Sequence, residues 1–157
     1  MSGICIYTGE IKSGKTTRLQ KYISENPGSD GILAPVINGK KHLVRIKTNE
    51  TKLLESDGAD YKAELTKICS YNFLKSVFDW GQAQLLEAFR SEPEILIIDE
   101  IGPLELRGDA LEPAISEILK KSPAYNSKII IVVRNFLVDK VIEHYKLHKT
   151  GFKFLNI

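Results

Sequence analysis

Gly9-Glu10-Ile11-Lys12-Ser13-Gly14-Lys15-Thr16 follows a short apolar run and precedes a segment of helical spacing, an arrangement that constrains this chain more than any other feature. The run Gly3-Ile4-Cys5-Ile6-Tyr7-Thr8 is bounded by glycines and predicts a buried central strand. From Lys15 to Glu25, Leu19, Tyr22 and Ile23 recur at helical spacing until Asn26-Pro27-Gly28 stops the pattern. The intervening octapeptide fits G-x-x-x-x-G-K-[ST] without a gap, in the strand-to-helix setting that the pattern requires. Glycines in such a loop let consecutive backbone N–H groups turn inward, and the following helix adds donors and the positive end of its dipole. Gly9 to Thr17 is therefore expected to cradle phosphates, with Lys15 reaching the β and γ groups. Thr16 offers Mg²⁺ a neutral hydroxyl and Thr17 reaches an adjacent phosphate. A turn that merely tolerates these residues is the alternative, and the flanking strand and helix argue against it.

A loop of this kind needs a carboxylate at the end of a neighbouring strand. The sequence provides the apolar run Ile95-Leu96-Ile97-Ile98 with Asp99-Glu100 at its C-terminal end. Asp99 is the expected partner of Mg²⁺, and Glu100 is expected to orient or deprotonate an attacking water. Both can face a nucleotide only if the strand ends about here, which Gly102-Pro103 favours. The bland alternative is a strand that ends in two acids at the solvent boundary. Glu105 is a weaker third carboxylate. Arg134, which ends the apolar run Lys128–Val133, is the candidate for stabilising charge on a γ-phosphate, with Arg107 as its rival. His144 and His148 stand four apart on an expected helix, without a third ligand or an adjacent Glu in H-E-x-x-H order, so they read as a solvated face. Lys40-Lys41-His42, Arg45 and Lys47 likewise read as a solvated basic surface.

Around these motifs the pattern alternates strand and helix. Gly31–Val36 predicts a second strand, with Pro35 near an edge. Asn38-Gly39 predicts a tight turn, and Leu43–Lys47 with Lys52–Leu54 a small inserted antiparallel hairpin. Residues 57–67 read as loop and Ile68–Leu74 as a strand. A helix over Ser76–Arg90 would turn Val77, Trp80, Leu85, Leu86 and Phe89 to the core. Helices over Leu111–Lys121 and Val138–Tyr145 and a last strand over Phe152–Ile157 complete an α/β three-layer fold with a mostly parallel sheet.

Composition narrows the function classes. With 157 residues the chain fits one domain, and 43% hydrophobic with 27% charged residues is ordinary for a soluble globular protein and suggests neither disorder nor membrane residence. The 22 Lys and Arg are spread among 20 Asp and Glu for a net charge of +2, so nucleic acid is not the default partner. Cys5 and Cys69 lie in apolar stretches without metal-ligand spacing and read as buried small hydrophobes. The opening Met1-Ser2-Gly3 lacks the basic leader of a signal peptide, and no apolar run approaches ~20 residues. A cytoplasmic protein without a membrane span, working as a monomer or weak oligomer, is expected.

Ile98-Asp99-Glu100-Ile101-Gly102-Pro103-Leu104-Glu105-Leu106 is similar to the second motif of the small nucleoside-triphosphatase family of thermophile and cancer-related type. Leu33-Ala34-Pro35-Val36 with Asn38-Gly39, and Val132-Val133-Arg134, also resemble blocks of that family. The resemblance spans nearly the whole chain. It implies a RecA-like P-loop core and slow Mg²⁺-dependent hydrolysis of ATP, GTP and other triphosphates to diphosphate and phosphate. Two departures stand out: Glu10-Ile11-Lys12 where the family carries more small residues, and a loose match from Lys40 to Ser70, where any base specificity would reside. A nucleoside or nucleotide kinase is one rival reading, against which stand the absence of an arginine-rich lid and the presence of Glu100 beside Asp99. A nucleotide-dependent switch with incidental turnover is the other.

Overall fold

Strand and helix follow one another as the alternating pattern dictates. A computed structural model describes residues 3–9, 14–57, 64–68 and 71–157, without the side chains of residues 67, 68 and 71. The chain begins with β1 (Gly3–Gly9), α1 (Lys15–Glu25), β2 (Ser29–Leu33), β3 (Val36–Ile37), β4 (Lys40–Arg45) and β5 (Thr51–Leu53). It continues through β6 (Glu55–Ser56), β7 (Leu65–Ile68), β8 (Tyr71–Leu74), α2 (Lys75–Arg90), β9 (Ile95–Ile101) and the one-turn α3 (Pro103–Leu106). The remaining elements are α4 (Ala114–Lys121), β10 (Lys128–Arg134), α5 (Val138–His144), α6 (Leu147–Thr150) and β11 (Phe152–Phe154).

The main sheet runs in the order β11-β1-β10-β9-β2-β4-β3, with β5 paired to β4. β11, β1, β10, β9 and β2 are parallel, and β4, β3 and β5 extend the sheet antiparallel. Successive side chains on a strand point to opposite faces, and the apolar runs use both. Ile4, Ile6, Ile32, Leu96, Ile98, Ile129, Ile131 and Val133 join one core, into which α2, α4 and α5 contribute Leu85, Ile115 and Val141. Tyr7, Leu33, Ile95, Ile97, Ile130 and Val132 join a second, covered by Leu19 of α1. A strand buried on both faces must be continuously apolar, which is why β9 and β10 are the plainest elements in the sequence. Each fully buried Ile or Leu contributes about 1.5–3 kcal/mol of transfer free energy before ordering costs. Gly31 is needed where β2 presses against β9, since a Cβ there would lie 2.0 Å from the Ile97 carbonyl oxygen.

Several boundaries differ from the sequence reading. The inserted hairpin is continuous with the main sheet, because Ile32 and Leu33 of β2 pair with Arg45 and Val44 of β4. Its turn at Asn38-Gly39 has φ of 51° and 77°, the mirror-image geometry this dipeptide favours. The strand expected over Ile68–Leu74 divides into β7 and β8, which pair antiparallel with each other and, through β8, with β6 as a separate small sheet. β7 thus takes in residues 65–67, read as loop in the sequence because Thr66 and Lys67 interrupt the apolar pattern; Cys69 lies outside the described residues. The segment after Glu100 forms the turn of α3 instead of a plain loop. β11 stops at Phe154, although Leu155 still donates its N–H to the Ile6 carbonyl at 2.8 Å. His144 and His148 do not share a helix: Lys146, at φ 53°, separates α5 from α6, and both imidazoles are exposed.

Candidate nucleotide site

Parallel pairing brings the C-terminal ends of β1, β10 and β9 to one edge of the sheet. Register sets which residues meet there: Gly9 of β1 lies beside Arg134 of β10, and Val132 of β10 lies beside Asp99 of β9. The next β10 residue, Val133, pairs with Ile101, so Glu100 is an extra residue in the ladder. A bulge of this kind re-aims a side chain without ending the strand. The expectation that β9 stops at the acidic pair therefore gives way to a strand that continues to Ile101 and displaces Glu100 from simple alternation. The Asp99–Glu100 peptide is cis.

α1 starts at Lys15, after Gly14 in the left-handed conformation at φ 81°, and no side chain caps it. The leading N–H groups of a helix have no helical acceptor, which makes this end suited to an anion. Lys15 and Thr16 are partly buried and Thr17 is exposed. Arg18, one turn on, donates from Nε to the Tyr7 hydroxyl at 3.1 Å and ties α1 to β1. Glu10, Ile11, Lys12 and Ser13 lie outside the described residues. Thr8, immediately before the loop, has a buried Oγ1 without a hydrogen-bond partner among the described residues.

Asp99 is 5% exposed, and its Oδ2 accepts the Ala34 N–H at 3.1 Å. Burial, reinforced by the neighbouring Glu100 charge, pushes its pKa up to about 6; the Ala34 hydrogen bond and the charges of Lys41 and Lys15 only partly oppose this. Among the described residues, burial therefore outweighs the hydrogen bond and the positive charge around this carboxylate. Glu100 is engaged more fully, with Oε1 at 3.2 Å from Arg134 Nη2 and 3.6 Å from Lys41 Nζ. Oxygen donors alone, a hydroxyl at Thr16 and a carboxylate at Asp99, suit a hard cation such as Mg²⁺, which takes few protein ligands and fills its shell from water and phosphate. No group of three or more His, Cys, Asp or Glu that would hold a metal by itself occurs among the described residues.

The remaining candidates fall elsewhere. Glu105 turns inward and accepts the Gly102 N–H at 2.9 Å, closing the first turn of α3. Burial pushes its carboxyl up to about 7 against the effect of that hydrogen bond. Arg107 pairs with Asp109 at 2.7 Å on the exposed side of the turn. The basic hairpin is a correction. Arg45 is 3% exposed and grips Asp30 through two 2.7 Å hydrogen bonds, while Lys41 reaches Glu100, so neither belongs to a freely solvated face. Alternation within Lys40–Arg45 was the available signal for Arg45, since Leu43 and Arg45 share a face. Nothing local in the sequence indicated the Lys41 contact, which depends on the packing of β4 beside β2.

Gly9 at the end of β1 and Gly14 at the start of α1, with an acid at the end of a strand one removed from β1, fit the P-loop nucleoside-triphosphatase fold. Residues 4–157 match the family described as NTPase, and the chain belongs to that family of nucleoside triphosphatases. Its structure is similar to the crystal structure of THEP1 from the hyperthermophile Aquifex aeolicus, with a TM-score of 0.75 and 19% sequence identity over 98% of this chain and 88% of that one. No curated protein matches the chain. No helix among the described residues is long and apolar enough to cross a membrane.

Proposed function

We propose that this chain is a Mg²⁺-dependent hydrolase that converts ATP, GTP and other nucleoside 5′-triphosphates to diphosphate and phosphate. The observation that carries this reading is the convergence of Gly9, Asp99, Glu100 and Arg134 on one sheet edge through the register of three parallel strands. In this reading the loop Gly9–Thr17 holds the β- and γ-phosphates on backbone N–H groups, and Lys15 neutralises charge between them. Thr16 and Asp99 hold Mg²⁺, which when bound offsets the charge of the β- and γ-oxygens. Glu100 accepts the proton of a water whose oxygen attacks the γ-phosphorus. The bond from that phosphorus to the β–γ bridging oxygen breaks, and the diphosphate leaves with the electron pair. Arg134 donates to the γ-oxygens as charge redistributes. Two carboxylates beside the phosphate loop favour water as the acceptor over a second nucleotide. Residues 1–157 would act as one domain, in the cytoplasm, as a monomer or weak oligomer.

Phosphate release from ATP, GTP, CTP and UTP, each with and without Mg²⁺, tests the reading with the purified chain alone. Release from several triphosphates that requires Mg²⁺ and is lost in Asp99→Ala is expected. Tight nucleotide binding without release would replace the hydrolase with a kinase or a partner-activated switch.

A further inference from the structure

Two cations converge on one oxygen of Glu100, and they come from different parts of the fold. Arg134 Nη2 reaches Oε1 at 3.2 Å from the central strand β10, and Lys41 Nζ reaches the same oxygen at 3.6 Å from the antiparallel strand β4. Both Lys41 and Glu100 keep only about a fifth to a quarter of their side chains exposed, at 24% and 19%. The contact is therefore shielded relative to an ordinary surface pair. Lys41 is held by its backbone on both sides: it pairs with Val36 of β3, and its carbonyl accepts the Leu54 N–H at 3.0 Å. A side chain delivered from a paired strand is placed more accurately than one delivered from a loop. Lys41 and Lys15 also both act on the Asp99 charge.

We propose that Lys41 reads the γ-phosphate: it pairs with Glu100 in the nucleotide-free chain and moves to the terminal phosphate of a bound triphosphate, releasing that face of Glu100 to water. The inference rests on the site being a triphosphate site, as argued above, and adds to it a residue on the inserted hairpin. The longer of the two contacts on Glu100 is the one that gives way. A flexible stem with one compact charge can be redirected over a short distance, whereas the five-donor guanidinium of Arg134 can hold Glu100 and meet a phosphate together. The γ-phosphate carries more negative charge than one carboxylate and so competes for the ammonium. A diphosphate lacks that group and leaves Lys41 on Glu100. Base activation is thereby coupled to the presence of the bond to be cleaved.

Equilibrium binding tests this without relying on turnover. With Mg²⁺ present, ADP and a non-hydrolysable ATP analogue are titrated into the unmodified chain and into Lys41→Met, Lys41→Arg, Glu100→Gln and the Lys41→Met/Glu100→Gln pair. Loss of one charge-assisted contact predicts about 10- to 100-fold weaker binding of the triphosphate analogue by Lys41→Met, with ADP affinity kept within about twofold. Lys41→Arg should recover most of the loss. Glu100→Gln, which frees Lys41 beforehand, should bind the analogue more tightly than the unmodified chain, and that gain should disappear in the double variant. Equal weakening for ADP and the analogue, or no weakening, would overturn the inference. If Lys41→Met does not fold, Glu100→Gln still decides, because no selective gain for the triphosphate contradicts the proposed exchange. Failure of the unmodified chain to release phosphate would remove the hydrolase reading and leave this selectivity result to stand or fall separately.

Discussion

Asp30 and Asp99 are both buried aspartates on the parallel sheet, 1% and 5% exposed, yet their surroundings are opposite. Asp30 lies beside Leu96 in the β2–β9 pairing, and Asp99 lies farther along β9 at the edge that carries the candidate site. Burial alone would raise the pKa of either. At Asp30 that effect is outweighed by the Arg45 hydrogen bonds, the Gly31 N–H at 2.8 Å, the Arg45 charge and the Lys47 N–H, and the carboxyl sits below its ordinary value. At Asp99 one backbone N–H is the direct donor and the value rises to about 6. The first carboxylate is satisfied by its own fold; at the second, burial outweighs the Ala34 hydrogen bond and the charges of Lys41 and Lys15, so a bound cation would stabilise it further. Incomplete satisfaction, more than burial, distinguishes the candidate working group from the structural one.

The largest effect that separates the two sites is on activity. Asp99→Asn should lower phosphate release by about 100-fold or more through loss of charge stabilisation, with no loss of stability against urea. A large fall in its urea midpoint would mean that Asp99 is structural like Asp30. Arg45→Met makes the reverse case, because it leaves the buried Asp30 carboxylate without its cation and should cost about 3–5 kcal/mol of stability. Asp30 is depressed from its ordinary 3.8, so its contribution is present above that value and lost as pH falls through the folded-state pKa. Arg45→Met should accordingly flatten the acid limb of a stability-versus-pH curve; an unchanged limb would contradict the pairing.

Glu105 is a third case, a buried acid with backbone donors and no cation partner among the described residues. Its pKa is raised from 4.5 to about 7, so the folded chain gives up stability as pH rises between those values and does not regain it above. Glu105→Gln keeps an acceptor for Gly102 and removes the ionisation, which should raise stability at pH 8 by about 2–3 kcal/mol and change little at pH 4. Chemical denaturation at the two pH values decides this, and a gain that is equal at both would reject it. The smallest effect belongs to Arg107, which forms an exposed pair with Asp109. Arg107→Ala should leave phosphate release within about twofold of the unmodified chain, consistent with the small worth of exposed pairs. A larger loss would restore it as a rival to Arg134.

Local punctuation made parts of this fold readable in the sequence. The bounds of α1 follow from Gly14 before it and Asn26-Pro27 after it, and β9 and β10 announce themselves because burial on both faces excludes polar residues. What alternation cannot reveal is an inserted residue, so the bulge at Glu100 was invisible until the β9–β10 register was known. The hairpin was legible as a hairpin, but its role was not. Whether Arg45 and Lys41 meet solvent or carboxylates depends on β4 pairing with β2, a contact between segments whose local sequence does not specify a partner. The candidate residues Gly9, Asp99 and Arg134 stand out in the sequence because each ends an apolar run. Lys41 ends none.

Glu100 is proposed to activate water at a site that binds triphosphate through other groups. Single-turnover phosphate release and equilibrium binding of Mg²⁺–ATP, measured side by side on Glu100→Gln, test it directly. Binding should tighten while release falls by about 10²- to 10⁴-fold, the usual contribution of a positioned general base. Release at the rate of the unmodified chain, with binding intact, would contradict it.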